Sequence, residues 1–211
     1  MTSPYINTKL SKTVPLYPYQ MNNDVYINLK KNLEKSLLGK CYSKFGYVVK
    51  IIKILDYKNG FIEAENINAS AFFDLTFSCR LCLPLKDTQI ICQIDKVNKV
   101  LITATNGPIL VIITNDRIND TVFFKDNNNN IRYKKENQSN ILESQDYIKV
   151  TLKTILFHEG DEKIKAIGFM DDVANDEDKK KFYEDQYKEN EQQVDLNDYL
   201  QSNQTAEAII V

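Results

Sequence analysis

Residues 88–114, TQIICQIDKVNKVLITATNGPILVIIT, contain three short runs of β-branched and apolar residues divided by two turn signals. Because β-branched residues favour strands and Asn and Gly favour turns, this stretch predicts antiparallel strands joined by tight hairpins. The predicted strands are residues 88–97, 100–105 and 109–114, followed after a long polar interval by 147–157 and 163–169. Five short antiparallel strands predict an all-β Greek-key barrel of the OB type.

The residues before this barrel predict an α+β domain, in which a helix packs on a small antiparallel sheet. Pro15 and Pro18 exclude a helix from residues 5–20, which we expect to be extended. Candidate N-caps and an apolar stripe at helical spacing follow. The caps are Asn22, Asn23 and Asp24, the stripe is Val25, Tyr26, Leu29, Leu33 and Leu37, and the helix ends at Gly39. The predicted strands of the sheet are 47–55, 61–67 and 72–83, with a turn at 58–60.

Composition supports three units in the 211-residue chain: a domain at 1–84, the barrel at 85–172 and an acidic tail at 173–211. Because the tail is rich in Asp, Glu, Lys, Gln and Asn, we expect it to be flexible, with a helix at most and only a loose attachment. No apolar run approaches the roughly 20 residues that span a bilayer. The N-terminus also lacks a basic region followed by an apolar core. We therefore expect a soluble, intracellular protein.

Four cysteines raise the question of a metal or redox site. Cys79 and Cys82 are spaced as Cys-x-x-Cys, but they fall in a run that alternates apolar and polar residues over 73–83. The two thiols of such a strand point to opposite faces, whereas a zinc knuckle needs a turn between its cysteines. His158, the one histidine, lies in a polar turn, and the common phosphate-binding and hydrolase motifs are missing. We expect no metal, no cofactor and no catalytic activity.

Three stretches, in order along the chain, resemble the stalk subunits of RNA polymerase. This family comprises the seventh subunit of eukaryotic RNA polymerase II and its archaeal stalk counterpart. The stretches are LGKCYSKFGYVV at 38–49, QIDKVNKV at 93–100 with NGP at 106–108, and KIKAIGFMDD at 163–172. They are similar to the family's loop after the helix, its first barrel hairpin and its closing strand. Ser43 and Leu101 depart from the pattern, because the family commonly has glycine at both positions.

The resemblance implies a non-catalytic subunit of DNA-directed RNA polymerase that forms a stalk. Its N-terminal domain would dock on core subunits, at the base of the clamp of the largest subunit and its neighbours. Candidate docking residues are Lys44, Phe45, Gly46 and Tyr47, since exposed aromatic rings bury well in partner pockets and glycine allows a tight loop. The alternative is an ordinary hairpin whose two rings belong to the core.

The resemblance also bears on source and partners. Large cytoplasmic DNA viruses encode divergent members of this family, and the heavy use of Asn, Ile and Lys hints at an AT-rich genome, so we expect a giant-virus version. A viral subunit would work in the host cytoplasm or the virion, and a cellular one in the nucleus. The resemblance is also compatible with a partner in the stalk, a second subunit similar to the fourth polymerase subunit.

In the implied function the barrel contacts nascent RNA weakly, through stacking rings and through cations that follow phosphates. The candidates are Lys96, Lys99, Arg117, Phe123, Phe124, Lys125, Arg132, Tyr133 and Lys134. Lys plus Arg number 27 against 29 Asp plus Glu, a net charge of −2, so any RNA contact is expected to be local and sensitive to salt. The alternatives are solvated charges with core-filling rings, a free-standing OB-fold RNA-binding protein, and an adaptor that touches protein only.

Overall fold

The computed structural model describes residues 3–98, 100–126, 130–135 and 138–187. These residues form a mostly β protein with two α-helices. The strands are β1 (Tyr5–Leu16), β2 (Tyr47–Tyr57), β3 (Ala71–Cys82), β4 (Gln89–Val97), β5 (Leu101–Asn106), β6 (Ile109–Thr114), β7 (Phe123–Lys125), β8 (Ile131–Lys135), β9 (Gln138–Ile141), β10 (Tyr147–Leu156) and β11 (Ile164–Val173). The helices are α1 (Val25–Leu37) and α2 (Asp176–Tyr187).

The N-terminal lobe, residues 3–83, contains an antiparallel sheet in the order β1–β3–β2. Helix α1 lies against β1 and β2. Its buried residues are Leu29, Leu33 and Leu37, which fall on one face because a four-residue spacing returns nearly to the same side of a helix. Gly39, with φ +78°, adopts the left-handed conformation that commonly ends a helix.

The predicted strand at 61–67 is wrong. β1, which comes from the segment predicted only as extended, occupies one edge of β3, and β2 occupies the other. β2 leaves β3 after Leu75, and Phe61 alone of residues 61–67 pairs with the edge beyond it, in an isolated bridge to Phe72. Downstream, the side-chain amide of Asn66 donates to the carbonyl of Ser70 at 3.0 Å and stabilises a turn. The segment 61–67 is therefore a loop that leaves the edge of β3 after Phe61.

The second part of the chain is a closed five-stranded barrel with neighbours in the order β4–β5–β6–β11–β10, closing from β10 onto β4. β6 and β11 pair in parallel, and the other pairs are antiparallel. This arrangement is compatible with the predicted OB-like barrel. A small sheet, β7–β8–β9, is inserted between β6 and β10, in the interval predicted only as a surface excursion.

The described part of the tail is packed on the barrel. The lobe and the barrel share one continuous cluster of buried apolar side chains, and a second small cluster joins Phe182 of α2 to Ile91 and Ala174. Phe182 is only 6% exposed, so the expectation of a loose attachment does not hold over 176–187. Residues 188–211 lie outside the described residues. The division of the chain at 84 and 172 stays a prediction.

All four cysteines are free and buried. Burial raises the pKa of Cys41 and of Cys79 to about 12. Among the residues that the structure describes, no group of three His, Cys, Asp or Glu side chains could hold a metal ion. Over the same residues no helix has the length and apolar character needed to cross a membrane.

Candidate functional site

The predicted docking loop, residues 44–47, is a tight turn built against the end of β3. Ser43–Phe45 forms a 3-10 turn, closed by a hydrogen bond from the Tyr42 amide to the carbonyl of Gly46 at 2.9 Å. Gly46 has φ +101°, and a Cβ at this position would lie 2.6 Å from the carbonyl oxygen of Cys82. Glycine is therefore required here by both backbone conformation and space.

The two aromatic rings of this loop are half-buried and pack against the core. Phe45 lies against Tyr42 with ring centroids 5.6 Å apart. Burial, reinforced by the nearby Cys41 and Cys82 thiols, raises the pKa of Tyr47. Lys44 is exposed. The sequence predicts that the rings of Phe45 and Tyr47 are exposed, whereas in the structure both pack on other residues of the chain. A docking role for this loop stays a prediction.

The loop also lies at the end of the sheet nearer the barrel. Tyr47 begins β2 directly opposite Cys82, the residue at which β3 ends before the chain enters the barrel. The amide of Cys41 donates to the carbonyl of Asp161 at 2.8 Å, and the amide of Gly160 donates back to Cys41 at 2.8 Å. The sequence between α1 and β2 therefore helps to join the lobe to the turn between β10 and β11.

Candidate RNA-binding residues come together on the small inserted sheet. Phe124 pairs directly with Arg132 across β7 and β8, so the two side chains share a face, while Phe123 and Tyr133 share the opposite one. Phe123 is buried and meets Tyr133 edge to face, at 6.4 Å between centroids. Tyr133 is thus engaged in packing, and Phe124 is the ring of this sheet that is exposed, at 38%.

Comparison with known proteins bears on the family of this chain. It is 34% identical over 182 residues to the protein of Acanthamoeba polyphaga mimivirus named "Putative DNA-directed RNA polymerase subunit L376", covering 86% of this chain and 89% of that protein. This chain belongs to the RNA polymerase stalk-subunit family. It is also 24% identical over 121 residues to DNA-directed RNA polymerase II subunit RPB7 of Glycine max, covering 57% of this chain and 68% of that protein. No family model matches the chain.

The remaining candidate residues of the stalk subunit are scattered. The Arg132 guanidinium makes an ion pair with the Asp126 carboxylate at 3.0 Å, which partly neutralises its positive charge. Lys125, on the neighbouring strand, is exposed. Lys96 is exposed near the end of β4, and the Arg117 guanidinium lies 4.0 Å from the Asp116 carboxylate. Lys99 lies outside the described residues, as does the side chain of Lys134, whose backbone belongs to β8. The structure thus groups only the candidates on β7 and β8.

Sequence reasoning missed a group of exposed apolar side chains at one end of the N-terminal sheet, which we call the far-end surface. It consists of Tyr19, Tyr57, Phe61, Ile62 and Ile67. Ile67 is 100% exposed and Tyr19 78% exposed. β1 ends at Leu16 opposite Ala71, and β2 ends at Tyr57 opposite Leu75, so all five lie at the end of the sheet away from the barrel. Phe61, Ile62 and Ile67 carry this signal, but the sequence predicts a strand over 61–67.

Proposed function

We propose that this polymerase subunit docks on the core enzyme through the far-end surface and holds its barrel beside emerging RNA. The observation that carries docking is the exposure of Phe61, Ile62 and Ile67 at 49, 58 and 100%. Soluble proteins seldom leave neighbouring apolar side chains in water without a partner to cover them. By resemblance to the stalk subunits, the partner surface lies on the core subunits, at the base of the clamp of the largest subunit and its neighbours.

The geometry favours this end of the sheet over the 44–47 loop. Seven steps along β3 separate Leu75 from Cys82, a distance of roughly 23 Å at about 3.3 Å per residue. An anchor at the far end keeps the barrel clear of the docking site, whereas the 44–47 loop lies beside the barrel junction. Ile62 and Ile67 are 58% and 100% exposed, so burial in a partner removes most of their apolar surface from water.

Docking is tested with two double variants and a control. We expect Ile62→Ser with Ile67→Ser to keep the melting temperature of the isolated protein but to reduce recovery of the polymerase with the tagged subunit at least about tenfold, as loss of interface anchors does. The control, Val100→Ser, alters a 71% exposed side chain on the barrel and should leave recovery unchanged.

The second double variant is Phe45→Ala with Tyr47→Ala, which should lower the melting temperature because both rings pack on the core. If this variant remains folded and loses the polymerase while the isoleucine variant keeps it, docking occurs through the 44–47 loop. Full recovery with both variants would exclude docking through this lobe.

The RNA contact in this proposal lies on the face of β7 and β8 that carries Phe124 and Arg132, with Lys125 beside it. One ring can stack on a base and two cations can meet phosphates, but the Asp126 carboxylate competes for Arg132. Binding by the isolated subunit is therefore weak and depends on the polymerase to hold RNA nearby, where the effective concentration is high.

The salt dependence of RNA binding tests this face. Each cation that neutralises a phosphate of a single strand contributes about 0.7 to the slope of log affinity against log salt. Lys125→Ala with Arg132→Ala should therefore reduce the slope by about 1.4, whereas the control Lys165→Ala, on β11, should leave it unchanged. Unchanged RNA crosslinking by the double variant in the assembled polymerase would favour the alternative of an adaptor that touches protein only.

A further inference from the structure

Helix α2 is fixed to the barrel at its N-terminal end by a nearly buried ion pair. The Lys149 ammonium of β10 lies 2.7 Å from the Asp178 carboxylate, and the two side chains are 19% and 7% exposed. Asp178 also accepts a hydrogen bond from the Asn175 amide at 3.1 Å, while its own amide donates to the Asn175 side chain at 2.9 Å. This reciprocal pair is a capping box, so one carboxylate both starts the helix and attaches it to the barrel.

One turn further along, aromatic packing holds the helix on the same strands. Phe182 is buried against Ile91 of β4 and Ala174, and it meets the Tyr147 ring edge to face at 5.3 Å between centroids. The Tyr183 and Tyr147 hydroxyls are hydrogen-bonded to each other. Because most of its apolar residues face one patch of the barrel, α2 has a defined docking position despite its polar composition.

The C-terminal turn of the described helix contacts the other part of the protein. Arg80, in the central strand of the N-terminal sheet, donates a hydrogen bond from its guanidinium to the backbone carbonyl of Asp185. The last described turn of α2, up to Tyr187, contains no basic residue. Cations stabilise the negative end of a helix dipole, and the lobe places one beside the end of the described helix.

The contacts of Arg80 return to the barrel and close a ring. Its guanidinium lies 5.0 Å from the centre of the Tyr5 ring, and the Tyr5 hydroxyl donates to the side-chain carbonyl of Asn106 at 3.2 Å. The Asn106 amide donates to the carbonyl of Ile91 at 2.7 Å, and Ile91 packs on Phe182 of α2. Gly107, next to Asn106, also lies against Tyr5, because a Cβ at this position would collide with the Tyr5 hydroxyl.

We propose that α2 is a clamp between the N-terminal lobe and the barrel, which fixes the angle at which the barrel projects. Without it, the lobe and the barrel still meet through their shared apolar cluster, the Tyr5–Asn106 hydrogen bond and two backbone hydrogen bonds between Cys41 and the turn at 160–161. With α2 in place, the hydrogen bond from Arg80 to Asp185 adds a contact that spans both parts and further restricts their relative rotation. The clamp holds whether or not the barrel binds RNA, so it goes beyond the proposed function.

Pulsed electron spin resonance on the full chain tests the clamp. Labels at Lys53→Cys on β2 and Lys165→Cys on β11 report the distance between lobe and barrel, and the four native thiols are buried and stay unlabelled. The test variant is Lys149→Met, and the matched control is Lys153→Met on the same strand. Lys153 forms an ion pair of similar length, 2.8 Å to Asp87, but that pair is exposed and does not involve α2.

We expect Lys149→Met to speed amide exchange in α2 by about tenfold to a hundredfold, as loss of a hydrogen bond between charged groups does, and to broaden the distance distribution. The control should change neither. Phe182→Ala, which removes the aromatic contact, should reproduce both effects. The clamp is refuted if α2 exchanges faster while the distance distribution stays narrow. It is equally refuted if neither variant loosens α2.

Discussion

Replacement of Gly46 by alanine measures how tightly the loop before β2 is built. The residue has φ +101° and ψ −164°, a conformation open essentially to glycine alone, and it costs other residues about 1 to 3 kcal/mol. The new Cβ would also lie 2.6 Å from the carbonyl oxygen of Cys82 and 3.3 Å from a methyl group of Leu83. The backbone carbonyl of a central strand cannot move aside without disturbing β3, so overpacking adds about 1 to 3 kcal/mol.

Taking both effects together, we expect Gly46→Ala to lower the free energy of unfolding by about 2 to 6 kcal/mol, and the melting temperature by about 4 to 24 °C. The matched control is Gly160→Ala. Gly160 has φ +87°, but a Cβ there meets nothing within 4 Å. Only the backbone effect of about 1 to 2 kcal/mol should remain in the control. Urea unfolding and calorimetry provide the comparison, and equal losses for the two variants would refute the steric argument.

Two further predictions concern buried groups. Although burial opposes ionisation of Asp178, hydrogen bonds from Lys149 and the Asn175 amide, with the Lys181 charge nearby, hold the pKa of this carboxyl below its usual range. A lowered pKa in the folded state stabilises the protein above the unfolded value of about 3.9, and this stabilisation is lost as the pH falls through the folded value. The free energy of unfolding of the wild type should therefore exceed that of Asp178→Asn by about 1 to 3 kcal/mol at neutral pH. This difference should disappear below about pH 4. A difference that does not change with pH would contradict the ion pair. The four cysteine thiols should not react with a disulfide reagent at pH 8 in the folded protein, because burial both shields them and raises the pKa of each. All four should react in denaturant. Rapid labelling of the folded protein would show that the core opens.

The barrel was predictable because its signals are local. Each strand is a short β-branched run bounded by a turn, and 109–114 matches β6 residue for residue. Helix α1 follows equally from spacing, since Leu29, Leu33 and Leu37 define one face before any partner is known. The prediction failed at 61–67, where Phe61 alone bridges to β3 and the chain then turns at Asn66 instead of continuing along the edge.

In the candidate sites, too, local features could be predicted from the sequence and burial could not. In the sequence Phe124 and Arg132 flank the asparagine run, and the structure pairs them across β7 and β8, while their role in binding RNA stays a prediction. It could not show that Tyr133 packs on Phe123 or that Phe45 is half-buried, because the burial of a ring depends on the surface opposite it. Nor could it reveal α2 as a packed helix, since its docking surface comes from β4 and β10, far away along the chain.

What the sequence determined by itself was the family, the positions of α1 and of the barrel strands, and the absence of the common catalytic motifs, all of which depend on residues close together along the chain. The tertiary structure alone decided which apolar side chains remain in solvent and which ring of residues joins the lobe to the barrel. Ile67 is exposed and Phe182 buried although both lie in polar surroundings along the sequence. The physical reason is that burial is a property of two surfaces, and a sequence pattern describes only one of them.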